Sequence, residues 1–106
     1  MKLNTNFNLF AATFILSSLA PLASAEEEVN CAYQGIMAEL VMGGRQVGVP
    51  ISEAIAIDPD NASFKEMILL AHEEPAWSTA ENQERAKREF RNKIELACYK
   101  KLQRNL

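Results

Sequence analysis

Residues 29–50 read VNCAYQGIMAELVMGGRQVGVP, and this stretch sets the architecture. Val29, Ala32, Tyr33, Ile36, Met37, Leu40, Val41 and Val47 recur at the i, i+3, i+4, i+7 spacing of an amphipathic helix. Gly48-Val49-Pro50 then supplies a helix stop. A first helix is therefore predicted from about Glu28 to Gln46. Gly43-Gly44 weakens its last turn by about 1 kcal/mol per glycine and lets another helix approach closely.

Downstream the signals repeat. Ser52 precedes a short apolar run and reads as the cap of a second helix, ended by the Asp58-Pro59-Asp60-Asn61 turn. Ser63 with Glu66, and Ser78 with Glu81, carry capping-box spacing for a third helix ending before Pro75 and a long fourth from about Thr79 to Gln103. The fourth has a narrow seam of Ala86, Phe90, Ile94, Ala97, Cys98 and Leu102. Its charged face carries Glu81–Arg85, Glu84–Arg88 and Glu89–Lys93 at the supportive i, i+4 spacing. No useful strand-like alternation is present, so the expected fold class is all-α, a small bundle of three to four helices stapled by one disulfide. Ile36, Met37 and Leu40 are expected to face Phe90 and Ile94.

Upstream, residues 1–25 read MKLNTNFNLFAATFILSSLAPLASA. A short polar start with Lys2, an apolar run from Phe10 to Leu19 and Ala23-Ser24-Ala25 are the three parts of a cleaved secretory signal peptide. The apolar run is shorter than the roughly 20 residues that span a bilayer. Residues 26–106 are expected to form a single exported domain, periplasmic or secreted. In an oxidising compartment Cys31 and Cys98 read as a disulfide, and their spacing matches no zinc site or C-x-x-C redox motif.

The chain has 106 residues, 48% hydrophobic and 24% charged, with a formal net charge of −3, the profile of one small domain. Its charge is uneven. Residues 26–84 hold two bases against twelve acids, a balance of −10, and residues 85–106 hold eight bases against two acids, a balance of +6. Two readings stay open: the basic helix packs over the acidic remainder, or it forms a stripe that meets an acidic partner or a membrane surface. Nucleic acid is a poor fit, because the domain is acidic and no aromatics interleave with the bases.

No catalytic set is legible. The single histidine, His72, lies in His72-Glu73-Glu74-Pro75 without the second histidine of H-E-x-x-H. The capping serines sit in no G-x-S-x-G, and Asp58–Asn61 lacks the glycine and glutamate of a calcium loop. No catalytic residue, metal or cofactor is assigned. The candidates for interaction are Arg45, Gln46 and Trp77. A helix stop does not require a guanidinium at Arg45, which either pairs with Glu53 or Asp58 to fix the corner or offers its planar fork to a partner. Trp77, the single tryptophan, is either a lid on the core or an interface anchor.

The run Arg45-Gln46-x-Gly48-x-Pro50-x-Ser52 resembles a loose group of short exported proteins of bacteria and their phages. In that group a first-helix Cys leads to such a run, then an Ala-His or Ala-Tyr near a proline, a Phe, and a final Cys on a long helix. Cys31, Arg45 to Ser52, Ala71-His72, Pro75, Phe90 and Cys98 match in order over most of residues 26–106. Members lack an assigned activity, so the resemblance implies the compartment and the paired cysteines and no catalytic residue. Export, small size and the absent catalytic set favour a protein-binding module, such as an inhibitor, an immunity factor or a prophage-encoded envelope protein, whose partner is another envelope or secreted protein. The alternative is a periplasmic acid-stress chaperone, which shares size and helical plan only.

Overall fold

The computed structural model describes residues 30–105, and the expected signal peptide over 1–25 lies outside the described residues. All regular structure among them is helical: α1 over residues 30–46, α2 Ile51–Ala56, α3 Ala62–His72 and α4 Ala80–Arg104. Cys31 and Cys98 are bonded, with Cα atoms 5.5 Å apart and a sequence separation of 67. The chain is thus an all-α bundle with one disulfide, and the bonded pair is that of a protein folding in an oxidising compartment. No helix among the described residues is long and apolar enough to cross a membrane.

The disulfide sets how α1 meets α4. From Cys31 the helical period brings Gly35, Ala38 and Met42 to the same face, and α1 meets α4 in antiparallel order. Gly35 lies against Glu95, Glu39 pairs with Arg91, and Gly43 lies beside Lys87. An added Cβ at Gly35 would collide with the Glu95 side chain, which would have to swing away from its bond to Arg91. Ala38 and Met42 join Met67 and Ala71 of α3 and Phe90 of α4 in the core, with Met37, Val41, Leu70, Ala86 and Ile94 packed around it. Met37 and Ile94 therefore pack against the core. Ile36 and Leu40 do not: both are exposed, because the phase that turns Cys31 toward α4 turns them to solvent.

The helix ends correct the expected caps. Gly48 takes φ 89°, with Gly48 N–H donating to Arg45 O and Val49 N–H to Gly44 O, the paired bonds of a Schellman stop. α2 begins directly after Pro50, so Ser52 lies within the helix instead of capping it. Asn61, not Ser63, caps α3 by accepting from Phe64 N–H, and Thr79, not Ser78, caps α4 by accepting from Asn82 N–H. In both cases the residue in extended conformation just before the first turn takes the role.

None of the three i, i+4 pairs expected on α4 forms. Glu84 pairs with Lys87, Arg85 bonds Asn82, and Lys93 turns to Glu74 beyond its own helix. Arg91 bridges Glu39 and Glu95. The hydrogen bond to Glu39, then that to Glu95, hold its guanidinium above the ordinary arginine value. Neutralisation across the bundle is thus partial: Arg88, Lys100, Lys101 and Arg104 have no carboxylate within ion-pair distance among the described residues.

Candidate functional site

The loop between α3 and α4, residues 73–79, has no regular structure and contains Pro75. Its main-chain polar groups must find partners elsewhere, and side chains of α1 and α4 supply them. Arg45 donates from both Nε and Nη2 to the Glu74 carbonyl, each at 3.1 Å. Gln46 donates from Nε2 to the Pro75 carbonyl at 2.9 Å and accepts the Trp77 N–H on Oε1 at 2.8 Å. Gln83 donates to the Trp77 carbonyl at 2.8 Å. Both main-chain groups of Trp77 are therefore held, one from α1 and one from α4.

Local folding explains why Arg45 and Gln46 can do this. The Schellman stop fixes the last turn of α1, and Gln46 continues the inward face of Cys31, Ala38 and Met42. Gln46 is 6% exposed, a polar residue at a core position whose amide is satisfied by the loop and by Met42 Sδ at 3.3 Å. Arg45 does not pair with Glu53 or Asp58; its planar fork closes on a carbonyl of its own chain instead. His72 adds a second tie, with Nδ1 3.0 Å from Ile68 O and Nε2 3.3 Å from Val49 O, joining the end of α3 to the corner before α2.

The three interaction candidates thus come together, with different roles. Arg45 and Gln46 are positioning residues, and their side chains are spent on the loop. Trp77 is displayed, 46% exposed. Its indole walls a groove of about 240 Å³ lined also by Met42, Pro75, Ala86 and Phe90, with Glu74, Glu89 and Lys93 at the polar edge. Lys93 Nζ lies 3.2 Å from Glu74 Oε1 across that edge, which leaves Glu89 without an ion pair among the described residues. Gln83 was not singled out in the sequence, and Glu89 and Lys93 were marked there only as an i, i+4 pair on α4. Gln83 carried one usable signal, being an uncharged polar residue on the face that Cys98 turns inward.

No group of three or more histidine, cysteine or acidic residues among those described is placed to hold a metal ion. No family model matches this chain, and neither a curated protein nor a solved structure matches it.

Proposed function

We propose that this chain is an exported binding module, periplasmic or secreted, that acts by occupying a partner protein and not by turning over a substrate. The observation that carries the reading is the display of Trp77: a half-exposed tryptophan on a loop whose main chain is tied from two helices. Holding an aromatic anchor before contact lowers the ordering cost of binding, and tryptophan is among the residues that dominate interface energies. At about 240 Å³ the groove is smaller than the roughly 300–1,000 Å³ of pockets that take drug-sized ligands. It suits one protein side chain. An apolar floor of Phe90, Met42 and Ala86 beside an indole face and the unpaired Glu89 matches an arginine or lysine. Its aliphatic stem would lie on the floor and its cation against the ring and the carboxylate.

A photoreactive phenylalanine analogue in place of Trp77, activated in cells that export the chain, tests this. A single dominant protein adduct is expected, reduced several-fold by Glu89→Gln with the melting temperature unchanged. The absence of an adduct, or the same adducts from a probe at the remote Lys100, contradicts the reading.

A further inference from the structure

α1 is apolar on two faces. Opposite Ala38 and Met42, Tyr33 is 60% exposed, Ile36 47%, Leu40 65% and Val47 73%. At 3.6 residues per turn these four, with Val47 just past the last turn, fall within about 60° of one another, a contiguous stripe of the size at which the largest apolar patch of a protein surface is often functional. The stripe carries no charge. Among the described residues of α1 the charged ones are Glu39 and Arg45, and both are engaged within the chain, with Arg91 and with the Glu74 carbonyl.

Beside the stripe lie Gly43 and Gly44, each costing about 1 kcal/mol in a helix relative to alanine. Packing within the chain does not require them. A Cβ on Gly44 would meet Val49 at 3.7 Å, and one on Gly43 would meet Lys87 at 3.4 Å, both ordinary contacts, in contrast to Gly35.

We propose that this face is where two copies of the chain meet, α1 against α1, antiparallel across a two-fold axis at Leu40. In that register Leu40 meets its own copy, Ile36 of one protomer lies over Gly44 of its partner, and Tyr33 lies over Val47. Each bulky residue of the N-terminal half then faces a smaller one of the C-terminal half, the self-complementarity that a two-fold interface needs. Charge selects the same occupant. From Glu26 onward the chain holds ten bases against fourteen acids, so copies repel on balance, and an uncharged face lets them meet without like-charge contacts. The stripe offers on the order of 400 Å² of apolar side chain per copy, or about 800 Å² for the pair, which is the size of a weak, concentration-dependent contact. Of the groove residues only Met42 belongs to α1, and it is buried on the inward face. Pairing through the stripe leaves both Trp77 grooves open, so this inference stands or falls separately from the binding role.

Sedimentation equilibrium of the exported, disulfide-intact chain from about 1 to 200 μM brackets the affinity expected of so small an interface. The mass should rise to that of a dimer. Leu40→Glu should raise the dissociation constant at least about tenfold, with helicity unchanged and with the melting temperature unchanged at concentrations where both chains are monomeric, since Leu40 is mostly exposed. Leu40→Cys should form an intermolecular disulfide on mild oxidation, and Glu66→Cys, exposed on α3, should not. If Leu40→Glu fails to fold, the Leu40→Cys cross-link decides alone. A monomer throughout, a dimer indifferent to Leu40→Glu, or preferential linkage through Glu66→Cys overturns the proposal. So does a monomer that loses a different protein on Leu40→Glu, which would assign the stripe to that protein.

Discussion

At the residue scale the decisive side chain is Gln46. Its amide reaches two main-chain groups of a loop 29 and 31 positions away in sequence, inside a site from which water is almost excluded. Leucine keeps most of the volume and leaves the Trp77 N–H and the Pro75 carbonyl without partners. Gln46→Leu should therefore lower stability by about 2–3 kcal/mol. Arg45→Lys retains the charge and loses the two-pronged contact with Glu74; at a partly exposed position that should cost about 1 kcal/mol. Urea unfolding followed by Trp77 fluorescence measures both. Because Trp77 is the only tryptophan, its native emission should also shift to the red in Gln46→Leu and stay nearly unchanged in Arg45→Lys. Sequence names Arg45 and Gln46 as candidates, but their partners are main-chain atoms of a loop, and no residue identity encodes those.

At the element scale, α1 shows how a helix can be legible and its inward face misread. Its spacing contains two apolar stripes, and the bulkier one, with Tyr33, Ile36 and Leu40, faces outward. What selects the phase is Cys31: its bond to Cys98 requires that face to turn toward α4, and the smaller residues Gly35 and Ala38 follow it inward. α4 carries only one narrow seam, and there the expected Phe90 is buried. Phe90→Ala should cost about 3–5 kcal/mol, and Leu40→Ala, removing an exposed side chain, less than about 0.5 kcal/mol. Thermal melts at micromolar or lower concentration compare them without dimer stability intruding. Under the same conditions Gly44→Ala should stabilise by up to about 1 kcal/mol, since helix propensity rises and an added methyl finds ordinary contacts. A comparable loss would mean that packing within the chain requires the glycine. The caps were harder to place because Asn61 and Ser63, like Ser78 and Thr79, all carry a side-chain oxygen able to accept from a first-turn N–H; main-chain conformation, not residue type, chose among them.

At the scale of the whole molecule, α1 is fastened at both ends, by the disulfide at Cys31 and by the Arg45 and Gln46 contacts at the other. The disulfide closes a loop of nearly the whole folded chain, and the chain-entropy model gives such a loop about 4 kcal/mol. Reduction should lower the urea midpoint by a corresponding amount, a large share of the stability of so small a domain. The far fastening is the distinctive one, because it ties an irregular loop to the helices on either side of it, and this is what presents Trp77. Native-state amide hydrogen exchange reads it at a single atom. The Trp77 N–H lies outside any helix, yet its acceptor is the buried Gln46 Oε1. It should exchange at least about a hundredfold more slowly than its intrinsic rate, near the α1 core amides, and lose that protection in Gln46→Leu. Exchange of the Trp77 amide at the rate of an open loop in the wild-type chain would contradict the clamp, and with it the fixed display of Trp77.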